Sequence, residues 1–219
     1  MAQKAIVMKF FYVTLVIAVL NYGSGRCYSQ SFMNLNFELA SNLPGSGTYV
    51  YVTDALPGWS AYGGGSPLNE VYFASNTFTA AYTTVELEGG SLALSGDFSV
   101  GLFLNGSISQ TGTVPAGTES LEFEASSPLS LAVTLGGQAL SYSALSVGTG
   151  YTVYGANIPT AMDGQTEALT FSMGSSQTVL DNIAFSTMSI PEPPECAIIG
   201  LGAILFVARC GRKYRQVRC

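Results

Sequence analysis

The chain contains no histidine, and from Cys27 to Ala208 it contains no lysine or arginine either. All eight basic residues sit near the ends: Lys4, Lys9 and Arg26 at one, and Arg209, Arg212, Lys213, Arg215 and Arg218 at the other. All fourteen acidic residues fall between Glu38 and Glu195. Each absence excludes a chemistry. A body without cations cannot replace the counterions on phosphate, so nucleic acid is not an expected partner. Nucleotide sites want Lys, Arg or a glycine-rich loop opening a helix, and no such motif occurs. Without His, neither a Ser-His-Asp triad nor a histidine zinc site can form. Cys27, Cys196, Cys210 and Cys219 all lie outside the body, which removes a four-cysteine site on position alone. What remains is oxygen chemistry, which suits calcium, sugars or a structural role.

The 219 residues allow one domain with short appendages. With 47% apolar and 10% charged residues the chain is too hydrophobic to be mainly disordered. Residues 1–29 read as a signal peptide. Lys4 and Lys9 precede Phe10 to Leu20, a run in which Thr14 is the polar exception. A basic start, an apolar core and small residues beyond it are the parts of a secretory signal, with cleavage expected among Gly23 to Ser31.

Residues 190–219 form a second address. Pro191-Glu192-Pro193 opens it, residues 197–208 are wholly apolar, and the tail then carries Arg209, Arg212, Lys213, Arg215 and Arg218 without an acid. An apolar stretch followed by cations is a stop-transfer pattern with its basic end in the cytoplasm. Twelve helical residues span about 18 Å, short of the roughly 30 Å hydrocarbon core, as suits a temporary anchor. This order of parts resembles the PEP-CTERM sorting signal, with Ile190 in place of the usual Val. The apolar core I-I-G-L-G-A-I-L is similar to that family's L-L-G-L-G-L-L. The resemblance implies recognition by an exosortase, a membrane cysteine transpeptidase, with removal of the tail. It implies a Gram-negative bacterium that makes extracellular polysaccharide. The sequence departs from the family at Pro194-Glu195-Cys196, where Ser or Thr is usual.

The body, residues 30–189, alternates with period two. Thr83 to Glu88 alternates. Leu121, Phe123 and Ala125 face one way and Glu122 and Glu124 the other, and Leu131, Val133 and Leu135 oppose Ala132 and Thr134. Such runs are half-buried strands. Gly89-Gly90, Gly96-Asp97, Asn105-Gly106 and Gly136-Gly137 separate them, and these residues suit two-residue hairpins. S-L-A-L-S, residues 91–95, is expected as one of about ten short strands. A short helical turn is expected around Pro159 to Asp163. The fold expected is all-β, an antiparallel sandwich of the jelly-roll kind.

Asn34 to Glu38, Pro57-Gly58-Trp59, and Leu180-Asp181-Asn182-Ile183-Ala184-Phe185 together resemble galactose-binding-like jelly rolls, the fold of many carbohydrate-binding modules. In those modules the opening Glu and the last-strand Asp often share a structural calcium. The resemblance therefore implies Glu38 and Asp181 as calcium ligands; no other cofactor is expected.

Trp59 and Tyr62 are the candidate glycan contacts, with Tyr49, Tyr51, Tyr72 or Tyr82 nearby, because aromatic faces stack on sugar C–H groups. The competing reading of Trp59 is a core anchor closing one end of the sandwich. Residues 61–67 read as a glycine-rich surface loop. Glu86 with Glu88, and Glu122 with Glu124, share strand faces at about 6.5–7 Å, a spacing that fits two-carboxylate hydrolysis. Acids alternating with Val, Leu and Phe are equally what a solvated strand face shows, and no catalytic residue is assigned.

These readings converge on an exported, non-enzymatic surface or matrix protein. It would be held at the inner membrane during sorting and then associate with extracellular polysaccharide. A carbohydrate-binding module with a dedicated glycan site is the alternative, and a glycosidase using the paired glutamates stands behind it. The body from Gln30 to Ile190 keeps twelve acids and no base.

Overall fold

The computed structural model describes residues 31–75 and 83–191. The signal segment, Tyr82, Glu192, Pro193, the apolar stretch 197–208 and the basic tail residues lie outside the described residues.

Fourteen strands form two sheets among the described residues. In chain order they are β1 (Thr48–Tyr51), β2 (Ser60–Gly63), β3 (Ser66–Leu68), β4 (Glu70–Ala74) and β5 (Val85–Gly89). There follow β6 (Phe98–Leu102), β7 (Gly106–Thr113), β8 (Ser120–Ala125), β9 (Leu131–Leu135) and β10 (Gln138–Ala139). The last are β11 (Tyr142–Val147), β12 (Thr152–Asn157), β13 (Thr166–Met173) and β14 (Thr178–Ser186). A single helical turn, α1 (Val52–Ala55), follows β1. The eight-stranded sheet runs β1-β4-β5-β6-β14-β8-β12-β11 and the six-stranded sheet β10-β9-β13-β7-β2-β3. Every neighbouring pair is antiparallel except β4 and β5. The all-β sandwich is therefore as expected.

Alternation decides what is buried. Leu121, Phe123 and Ala125 of β8 and Leu131, Val133 and Leu135 of β9 all point into the core. Phe123 meets Phe171 of β13 edge to face at 5.4 Å, and Tyr142 and Tyr154 pack around it at 5.3 and 5.8 Å. Burying such a ring fully is worth about 2–3 kcal/mol through the area taken from water.

The turns divide into two groups. Gly136-Gly137, at φ 57° and 76°, closes the β9–β10 hairpin as expected. Residues 61–67, expected as a loop, are instead the β2–β3 hairpin turning on Gly64-Gly65 at φ 58° and 83°. Asn105-Gly106 does not close a hairpin, because β6 and β7 belong to different sheets. Residues 91–95 form no strand: a 3-10 turn (Gly90–Leu92) starts an irregular segment that leads to β6. Thr160–Met162 is a 3-10 turn, close to the helical turn expected there.

Candidate functional site

Glu86, Glu88, Asp181 and Glu124 form a row on the outer face of the eight-stranded sheet. Leu87, Val100 and Leu180 point into the core, so their neighbours Glu86, Glu88, Ser99 and Asp181 point the other way. Register aligns Glu88 with Ser99 and Asp181 with Glu124. The sequence reading takes Glu86 and Glu88 as a solvated face, and here the structure corrects it. Both are 0% exposed, and Ser99 and Asp181 are equally enclosed.

The segment from Gly90 to Asp97 forms a strap fastened to this row by hydrogen bonds. Leu94 N donates to Ser99 Oγ at 2.9 Å, and Ser99 Oγ donates to Asp181 Oδ2 at 2.7 Å. Ser95 N reaches the same Asp181 oxygen at 3.2 Å, while Asn182 N donates to Asp181 Oδ1 at 2.7 Å. Glu38 Oε1 accepts from Asp97 N and Phe98 N at 3.0 and 3.1 Å. An open cavity of about 410 Å³ lies beside the strap, lined by Leu92, Leu94, Phe103 and Val179 among others.

Among the described residues there is no Lys, Arg or His to pair with this row. The carboxyls adjust their protonation instead. Burial, then the charge of the neighbouring Glu86, push Glu88 up to about 9. Glu88 therefore keeps its proton at neutral pH, since two buried like charges cannot both ionise cheaply. Burial also raises Asp181, to about 6, against the Ser99, Asn182 and Ser95 hydrogen bonds that favour its charged form; the Glu124 charge adds to the rise. Gly101 makes room for the pair: a Cβ there would lie 2.5 Å from Glu88 Oε1.

Glu38 and Asp181, the expected calcium ligands, thus engage one stretch of chain from two sides. Their acceptor oxygens meet backbone N–H and hydroxyl donors. No group of three or more His, Cys, Asp or Glu with metal-binding geometry occurs among the described residues. The donor set as placed does not make a calcium cage, which takes six to eight oxygens.

Trp59 is a core residue with 5% of its surface exposed. Its ring lies 5.7 Å from Phe37 and 6.5 Å from Phe171, and its Nε1 donates to Asn34 O at 3.0 Å. It therefore offers no face to a sugar. Tyr62 lies on β2 beside the buried Ala61, so alternation turns it to the outer face, away from Trp59. The structure does not bring Trp59 and Tyr62 into one site.

A different aromatic surface is present. Tyr49 of β1 pairs with Tyr72 of β4, their rings edge to face at 5.4 Å, and Tyr51 pairs with Glu70. Tyr49 and Tyr51 are both more than half exposed. Tyr72 is in register with Glu86, so this patch borders the acid row on the same outer face. The period-two spacing of Tyr49 and Tyr51 carries this signal in the sequence.

The three motifs behind the carbohydrate-module resemblance do meet. Asn34 is tied to Trp59, and it also donates to Pro57 O at 3.2 Å. Ile183 N donates to Leu35 O at 2.9 Å. Residues 34–38 form turns, with Asn34 and Phe37 at φ 51° and 58°, rather than an opening strand. Of the sorting motif, Pro191 is described and exposed. Just before it, Asn157 clamps Ile190 by two hydrogen bonds, Ile190 N to Oδ1 at 2.7 Å and Nδ2 to Ile190 O at 3.0 Å.

No family model matches the chain, and neither a curated protein nor a solved structure matches it.

Proposed function

We propose that the chain is an exported, non-enzymatic cell-surface or extracellular-matrix protein, sorted through a PEP-CTERM-like C-terminal signal and associated with extracellular polysaccharide. One observation carries this reading: a cation-free, acid-rich β-sandwich is followed directly by Pro-Glu-Pro, a short apolar stretch and a basic tail. The fold proposed is a jelly-roll variant. The chain supports it by switching repeatedly between sheets, at β1–β2, β3–β4, β6–β7, β7–β8, β8–β9, β10–β11, β12–β13 and β13–β14. Exosortase and the secretion machinery are the partners, and the inner membrane holds the chain only during sorting. The intact mass of the exported protein tests this. Loss of both residues 1–29 and the basic tail is expected, and a mature chain still ending at Cys219 overturns it.

A second reading, a carbohydrate-binding module, is favoured by the exposed Tyr49 and Tyr51 beside Tyr72 and Glu70. Ring faces would stack on sugar C–H groups and the carboxylate would accept from a hydroxyl. A body without a base would repel acidic glycans, so a neutral polysaccharide is the expected ligand. A glycan array with Tyr49→Ala and Tyr51→Ala variants decides it. Binding by the parent chain that both variants lose supports the module, and no binding to any glycan removes it.

A further inference from the structure

The last strand ends at Ser186, and the chain then passes the start of β8 and the end of β12 to reach Pro191. A segment beyond the last strand of a domain usually frays and is an early site of proteolytic nicking. Here every second residue is held. Ser186 O accepts from Glu119 N at 2.8 Å, and Met188 O accepts from Ser120 Oγ at 2.7 Å. Ile190 then takes both ends of the Asn157 amide: its N–H donates to Oδ1 at 2.7 Å, and its carbonyl accepts from Nδ2 at 3.0 Å. Thr187, Met188 and Ser189 are exposed, yet Ile190 is buried.

The side chain of Ile190 has a socket of its own. Ala156 of β12 points into the core, so Gly155 and Asn157 on either side of it face outward. A Cβ at Gly155 would lie 2.7 Å from Ile190 Cδ1 and 2.7 Å from Leu145 Cδ1. Gly155 is not at positive φ, so its backbone does not call for glycine; the close approach of Ile190 and Leu145 does. One apolar contact and one pair of hydrogen bonds thus converge on a single residue. The hold stops at the next position, because Pro191 has no N–H to donate and is exposed. Pro191 stands on the rim of an open cavity of about 350 Å³ that Gln138, Ser143 and Pro159 also line.

We propose that Gly155 and Asn157 form a lock that withholds residues 186–190 from a cleaving enzyme, so that the chain opens to one only from Pro191 onward. Peptides are commonly taken up as extended strands, through the N–H and C=O groups that a sheet edge uses. Asn157 already occupies both of those groups on Ile190. Drawing this segment into a cleft therefore requires the lock to open, and cutting follows the population of the open form. The boundary falls where Pro191-Glu192-Pro193 begins. A sorting enzyme would meet its motif directly beyond a closed body. The identity of that enzyme rests on the sorting reading, whereas the boundary rests on the two contacts to Ile190.

Limited digestion of the full chain with thermolysin, read by mass, tests this. Thermolysin cuts before large apolar residues, and the Thr187–Met188 bond offers it the exposed Met188. In the parent chain that bond is expected to be cut only together with bonds inside β8 and β12. Asn157→Ala and Gly155→Val are each expected to be cut there roughly tenfold faster, while the rest of the body stays whole. Should one variant fail to fold, the other decides. A parent chain cut at Thr187–Met188 with its body intact overturns the lock. So do variants cut there no faster than the parent, or variants whose whole body is cut faster to the same degree. The mature exported chain is expected to retain Ile190, and one that ends before it also overturns the lock. One that still ends at Cys219 overturns the sorting reading, and the digestion then judges the lock by itself.

Discussion

Glu86 and Glu88 stand two residues apart on one face of β5, and neither has any exposed surface. In a body without a single base, this pair is a stored electrostatic cost that a proton relieves.

The cost makes stability depend on pH. Folded Glu88 keeps its proton up to about pH 9, whereas the unfolded chain releases it near the usual 4.5. Between those values the folded form binds more protons than the unfolded one, so stability falls as pH rises. Asp181 adds to the fall between its usual 3.8 and about 6. The melting temperature is expected to be higher at about pH 5 than at about pH 8. Glu88→Gln should flatten that slope and raise the melting temperature at the higher pH. A melting temperature that increases with pH would contradict this protonation state.

Asp181 holds the strap. Asp181→Ala removes the acceptor for Ser95 N, Ser99 Oγ and Asn182 N. Hydrogen bonds to a charged group contribute about 1.5–3 kcal/mol each and do not add simply, so a loss of roughly 2–3 kcal/mol is expected in urea unfolding. Hydrogen exchange at Ser95 should accelerate more than exchange in β9. Uniform acceleration would mean that the strap is held by something else.

Trp59 reports on the core. As the only tryptophan, buried against Phe37 and Phe171, it should emit at short wavelength, resist acrylamide quenching and shift red on unfolding. Trp59→Ala is expected to cost about 3–5 kcal/mol through the cavity it leaves. Native emission that shifts when a glycan is added would place the ring at a binding surface instead.

Calcium and chelator are expected to give the same melting temperature. A cation that binds only the folded state raises stability, and Glu38 and Asp181 are committed to N–H and hydroxyl donors. A clear rise with calcium would show that these carboxylates exchange their donors for the ion.

Much of the sandwich was legible because one rule, alternation, governs it. Leu121, Phe123, Ala125, Leu131, Val133 and Leu135 are buried as their spacing says. The same rule misled at Glu86 and Glu88. Alternation tells which face of a sheet a residue occupies, and says nothing of whether another segment lies over that face. Turn dipeptides have a similar limit. Gly136-Gly137 and Asn105-Gly106 look alike locally, yet one joins paired strands and the other carries the chain from one sheet to the other. Trp59 and Asp181 were visible as notable residues. Their duties depend on Asn34, Ser95 and Ser99, up to 86 positions away in the chain, which local pattern does not connect.

The clamp of Asn157 on Ile190 has a mechanical consequence. Residues 186–190 are bonded to β8 and β12 and their flanks: Ser186 O accepts from Glu119 N, Met188 O from Ser120 Oγ, and Ile190 pairs twice with Asn157. A pull on the tail therefore reaches the sheet through these bonds and then through Ala184–Ser186, which pair with β8 alone, before it loads Thr178–Leu180, the part of β14 that lies between β6 and β8. A protein tethered by its tail would pass the load inward to the middle of the larger sheet.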